Sequence, residues 1–182
     1  MAIYISMLRG INVAGHNQIK MTGLRELFES LGFEQVQTYI QSGNVVFKAG
    51  ERSTLQLSKK IEERIAKDFG FRVSVVTRTS AEMGSVLGSN PFLKTKGIDP
   101  TKLHVTFLSE APEPAALRKL GEVAAGADQF RSCGREIYLH CPNGYGRTKL
   151  SNNTLEKILG SPATTRNWNT VNKLFEMSSQ GE

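Results

Sequence analysis

Apolar and polar positions along the chain alternate between two periods, one suited to strands and one to helices. "AIYISMLRG" is a run of β-formers that ends at Gly10, which predicts a strand. After a polar loop, Met21, Leu24, Leu27, Phe28 and Leu31 recur at helical spacing, with Gly32 placed as a C-cap. "QVQTYIQ" and "NVVFKA" flank "SG" and read as two strands joined by a tight turn. Ser53 with Gln56 three residues on makes a capping box, and Leu57, Ile61, Ile65 and Phe69 continue one apolar face to Gly70. "FRVSVVTR" is a further strand. The order β-α-β-β-α-β is the split βαβ pattern of ferredoxin-like folds.

A short helix over "SAEMGSVLG" and a connector, "NPFLKTKGIDP", follow, and then the pattern begins again. "LHVTFLS" reads as a strand, and "EPAALRKLGEVAA" as a helix with proline near its first turn. "DQFRSC" and "EIYLHC" form a hairpin turning near Gly134. A short helix around "NTLEKIL" stops at Gly160, and a last helix is expected over Thr165–Met177. The expected fold is α+β, with a ferredoxin-like half over 1–80, a short helix and connector over 81–102, and a second half over 103–182. No residue-level repeat is visible between the halves, only a similar order of elements.

Three long stretches carry a resemblance: "LRGINVAGHNQIKMTGLRELFESLGF", "TYIQSGNVVF" and "TTRNWNTVNKL". In these the chain resembles, from end to end, the bacterial family catalogued as domain of unknown function 1697. One departure is Ala14, where that family often has glycine. The resemblance implies two ferredoxin-like halves and brings no activity, cofactor or metal with it.

Composition is ordinary for a globular protein, with 39% hydrophobic and 22% charged residues in 182. No apolar run approaches the roughly 18 residues of a membrane span, and "MAIYISMLRGINV" lacks the features of a secretory signal, so a cytoplasmic protein is expected. Cys133 and Cys141 flank the second hairpin; with its turn at Gly134 they would stand about 20 Å apart. A disulfide needs Cα atoms within about 7 Å, so none is expected. The net charge of +6 is unevenly spread. Residues 1–25 hold Arg9, Lys20 and Arg25 with no acid. Residues 143–173 hold Arg147, Lys149, Lys157, Arg166 and Lys173 against Glu156 alone. Both basic segments coincide with polar loops, which points to an anionic partner.

Four stretches are candidates for that chemistry. The loop "RGINVAGHNQIK" supplies Arg9, Asn12, His16, Asn17 and Lys20 between a strand and a helix, as in other phosphate-cradling turns. It matches no established phosphate-loop motif, and its asparagines could equally tie the loop to itself. The hairpin tip "QSGN" offers Gln41 and Asn44, and is relevant only if it lies beside that loop. "NGYGRTKLSNNT" sets Tyr145 beside Arg147 and Lys149, which suits base stacking with phosphate contact as well as a solvated loop. In "TTRNWN", Thr164 or Thr165 is the expected N-cap. Arg166 would then sit in the first turn, where a cation costs roughly 0.3–1 kcal/mol. An anion there, or a buried ion pair, would explain it, with Asn167 in support. Trp168, Val171 and Phe175 share one face and read as core.

Catalytic signatures are missing. His16, His104 and His140 have no metal-ligand spacing, and neither G-x-S-x-G nor H-E-x-x-H occurs. Three readings stand on the sequence: binding of a nucleotide, phosphate or single-stranded nucleic acid; an enzyme for a small phosphorylated or carboxylated substrate; or a protein-interaction module. "AIYISM" and "NVVFKA" lack the paired aromatics of RRM sheets, which disfavours RNA stacking on the sheet face.

Overall fold

The computed structural model describes residues 1–124 and 126–181. Ala125, the last residue of one expected helix, lies outside them. The chain divides into two compact units, one of Met1–Gly84 with the stretch from Lys173 onward, the other of Ser85–Asn172.

The first unit contains β1 (Ala2–Leu8), α1 (Met21–Ser30), β2 (Glu34–Tyr39), β3 (Asn44–Ala49), α2 (Thr54–Phe69) and β4 (Val75–Thr79). Its strands form one antiparallel sheet in the order β2-β3-β1-β4. This is the ferredoxin-like arrangement that the element order implies. Leu24, Leu27 and Phe28 of α1 and Leu57, Ile61 and Ile65 of α2 close over Tyr4, Leu8, Val45 and Phe47 of the sheet. Phe33 stacks on Phe47 at 4.6 Å, and Phe28 meets Phe47 edge-on at 5.1 Å. Burying each such ring contributes about 1.5–3 kcal/mol, and ring pairing adds about 1 kcal/mol. The Ser53 hydroxyl caps α2 by accepting from Gln56 N–H at 3.2 Å, and Gly70 ends the helix in the left-handed region at φ 77°.

In the second unit, β5 (Leu103–Leu108), α4 (Pro114–Val123), β6 (Gln129–Cys133), β7 (Glu136–His140), α5 (Asn152–Leu159) and β8 (Ala163–Asn167) repeat the plan. The sheet order, β6-β7-β5-β8, is the same. Leu120 and Leu155 pack on Leu108, Ile137, Leu139 and Ala163. Cys133 is exposed, Cys141 is buried, and both are free thiols. Two further helices, α3 (Ser80–Gly88) and α6 (Trp168–Ser179), each contain a unit boundary. Within the first unit Gly84 admits the ring of Phe175, since a Cβ there would stand 3.0 Å from it.

Residues 163–167 correct the expected last helix. They are a strand, paired antiparallel with β5 from His104↔Asn167 to Leu108↔Ala163. The helix starts only at Trp168, and its cap is Asn167, whose Oδ1 accepts from Thr170 N–H at 2.8 Å. Two adjacent β-branched threonines favour the pleated backbone, and a pairing partner decides the matter. The second half therefore reads β-α-β-β-α-β before its terminal helix. Arg166 is a strand residue, and no helix dipole acts on it as a first-turn cation.

The strand register also reveals a short repeat that the sequence alone hides. Ser6 faces Thr77 as Thr106 faces Thr165, which aligns Thr77-Arg78-Thr79 with Thr165-Arg166-Asn167. Arg78 Nη1 donates to Thr77 O at 3.1 Å, and Arg166 Nη1 donates to Thr165 O at 3.0 Å. Thr79 then caps α3, accepting from Glu82 N–H at 3.1 Å, just as Asn167 caps α6.

Candidate functional site

The first unit holds five of the candidate residues: Arg9, Asn12, Lys20, Gln41 and Asn44. Loop 9–20 leaves β1 and enters α1, and tip 40–43 joins β2 to β3. The two meet. Asn12 Nδ2 donates to Ile19 O at 3.0 Å and to Gln41 O at 2.8 Å, while Asn12 Oδ1 accepts from Ile19 N–H at 2.9 Å. One carboxamide thus closes the loop on itself and ties it to the tip. Asn17 Nδ2 adds a bond to Gly10 O at 3.3 Å. Gly43 meets two demands: its φ is 85°, and a Cβ there would fall 2.6 Å from Cδ1 of Ile11. A side chain at Gly43 would push loop and tip apart.

Backbone strain gathers at this place. Among the described residues five non-glycine residues have positive φ, and four of them are Asn12, Ala14, Asn17 and Ile40. Asparagine tolerates the left-handed region, but alanine pays about 1 kcal/mol and a β-branched isoleucine more. Val13 and Ile40 are also 59% and 48% exposed, so loop and tip each present one large aliphatic side chain to solvent. Neither segment contains a carboxylate, and His16, Lys20 and Gln41 are exposed. Lys20 stands at the N-cap position of α1 without a side-chain cap bond, and the first turn of α1 has no acid. Its N–H groups therefore add positive potential beside the loop. Asn44 plays a different part. It is fully buried, and its Nδ2 donates to Tyr39 O at 2.9 Å and Ser42 Oγ at 3.1 Å, so it shapes the tip from inside.

The other four candidates belong to the second unit. Arg147 and Lys149 are exposed, and with Gly126, Ala127, Asp128 and Asn143 they line a cavity of about 230 Å³. The Tyr145 ring stacks on His104 at 4.8 Å and packs against the core, so it is engaged within the fold. His104 Nδ1 is buried without a hydrogen-bond partner, and burial pushes its imidazole below the ordinary value. Arg166 is 7% exposed. Its Nη1 donates to Thr164 Oγ1 at 2.8 Å as well as to Thr165 O. Burial lowers the guanidinium pKa to about 10, partly opposed by Tyr145, so it stays charged at neutral pH. Asn167 is the exposed cap residue.

The family model for the Protein of unknown function (DUF1697) matches residues 1–138. The chain belongs to that family. The matched stretch of this DUF1697 protein contains loop 9–20 and tip 40–43, and ends within β7. Arg147, Lys149, Arg166 and Asn167 lie beyond it. The chain is also similar to a conserved bacterial protein, SP0830 from Streptococcus pneumoniae, at 24% identity over 97% of this chain and 98% of that one. The TM-score of 0.76 at that identity shows a shared fold. None of the curated proteins matches. Among the described residues no helix is long and apolar enough to cross a membrane.

Val13 and Ile40 escape a reading based on charge. For Val13 the available signal is a large aliphatic in an otherwise polar loop; Ile40 fits the alternation of the expected strand "QVQTYIQ", and only the end of β2 at Tyr39 places it in the tip.

Proposed function

We propose that this DUF1697 protein binds an anionic ligand, a nucleotide or short single-stranded nucleic acid, on the platform made by loop 9–20 and tip 40–43. The observation that carries this reading is that, among the described residues, four of the five left-handed non-glycine residues lie where loop and tip are clasped by Asn12. Strain of that kind persists where a geometry is used. Lys20, with the start of α1, supplies positive charge for phosphate, and the exposed His16 side chain adds hydrogen-bonding capacity. Val13 and Ile40 offer apolar surface to a base. Within the second unit, Arg147 and Lys149 are proposed as phosphate contacts of their own, on the cavity they line with Asn143.

The test is a fluorescence titration with a labelled single-stranded oligonucleotide and a labelled mononucleotide, at about 50 mM salt. Oligonucleotide affinity should fall with salt at a logarithmic slope of about −0.7 per phosphate contacted. Lys20→Ala should weaken binding about tenfold, equivalent to about 1.4 kcal/mol. Asn12→Ala should weaken it further, because loop and tip would no longer be held together. Saturable mononucleotide binding without oligonucleotide binding would support the reading of an enzyme for a small phosphorylated substrate. Absence of both at low salt overturns the proposal.

A further inference from the structure

A cavity of about 500 Å³ in the first unit lies between α2 and the chain entering β4. It meets loop 9–20 only at the loop's base, where Arg9 N–H donates to Ser74 O at 2.9 Å, and none of Asn12, His16, Lys20 or the tip 40–43 lines it. Glu62, Glu63 and Ala66 line it from the helix, and Arg72, Val73 and Ser74 from the chain before β4. Its size is in the range of small-molecule sites, and its lining joins the apolar Ala66 and Val73 to the half-buried Glu62 and the exposed Glu63 and Arg72. The carrying observation is its charge. Two carboxylates and one guanidinium face one cavity, yet no salt bridge joins them among the described residues. Their neighbour Arg64, by contrast, pairs with Asp68 at 2.7 Å. Glu62 is half-buried and held in place, since its Oε1 accepts from Val75 N–H at 2.8 Å. Its second oxygen is left for a ligand. Burial raises this carboxyl above its ordinary value, partly offset by the Val75 bond and by Lys59 one turn away. A half-buried acid gains most from a cation that enters the cavity. Arg72 presents the complementary fork for a carboxylate.

We infer that this cavity binds a small zwitterion with two cationic groups and one carboxylate, the class of the dibasic amino acids. The ammonium groups pair with Glu62 and Glu63, the carboxylate with Arg72, and the aliphatic stem lies on Ala66 and Val73.

Calorimetry of the whole protein with L-lysine, and with putrescine as the diamine lacking a carboxylate, tests this. L-lysine should bind saturably at one site with a dissociation constant below about 1 mM. Glu62→Gln keeps an oxygen for Val75 N–H and should leave melting unchanged while weakening both ligands about tenfold. Arg72→Gln should weaken L-lysine about tenfold and leave putrescine unaffected. No saturable binding of L-lysine at about 10 mM, preference for putrescine over L-lysine, or undiminished binding in both variants overturns the inference. Nucleotide binding on the loop platform is unaffected by any of these results, so the two proposals fail separately.

Discussion

The two units share a frame and differ in what they build on it. In the first, twelve residues, 9–20, join the first strand to the first helix. In the second, five residues, 109–113, make the same connection. The short version crosses directly. The long version needs Asn12, Asn17 and a glycine tip to hold it, and carries three left-handed non-glycine residues. Loop length costs little in closure entropy, but fixing such a backbone is costly. The elaboration therefore marks where the first unit departs from plain folding requirements. A second difference lies inside. Each unit links a strand hydroxyl, a threonine of its last strand and a side chain of its second helix. Ser6, Thr77 and Ser58 form the first network, with bonds of 2.7 and 2.9 Å, and all three are buried. Thr106, Thr165 and Asn152 form the second, at 2.7 and 2.6 Å, with Thr165 and Asn152 half-exposed.

That contrast can be broken most sharply at the threonines. Thr77→Val strands two buried hydroxyls and should cost about 2–3 kcal/mol in urea unfolding. Thr165→Val strands one buried hydroxyl, that of Thr106, and leaves Asn152 within reach of water, so it should cost about 1 kcal/mol. Equal losses would show that the two networks are equally dry.

Next in size is the residue that precedes each network, Tyr4 in β1 and His104 in β5, at matching register positions. His104 has a lowered pKa because of burial, so the sign follows from linkage. Above about pH 6.5 the imidazole is neutral whether folded or unfolded. As pH falls below that, the unfolded chain takes up a proton that the folded one resists, and stability declines until the folded pKa is reached. The slope from this one group cannot exceed about 1.4 kcal/mol per pH unit. His104→Tyr, which copies the first unit, should remove that slope in melts between pH 7 and 5. An unchanged slope would exclude His104 as its source.

The smallest effect concerns the long loop. Ala14 has φ 48° and is exposed, so Ala14→Gly relieves strain without removing a contact. It should stabilise by about 0.5–1 kcal/mol, less the greater freedom that glycine has when unfolded. A destabilised variant would mean that the loop tolerates its backbone for a reason other than strain.

Much of the fold is legible because its signals are short-range. Ser53 and Gly70 mark the ends of α2, and Gly134 the second hairpin, through neighbours a few residues away. Residues 163–167 mislead a local reading because a threonine pair before an arginine fits a helix start as well as a strand. The partner that resolves it, β5, lies some sixty residues earlier. The candidate site is legible in part. Polar loop and glycine tip are both recognisable, while the buried role of Asn44 and the exposed one of Val13 and Ile40 are not.

By itself, then, the order of residues determined the elements, their succession and the ferredoxin-like plan, because periodicity and caps act over one or two turns. Only the tertiary structure decided that loop 9–20 touches tip 40–43, that Arg166 belongs to a strand, and that Glu62 and Arg72 face one cavity. These depend on which distant segments exclude water from one another, and no local pattern encodes that.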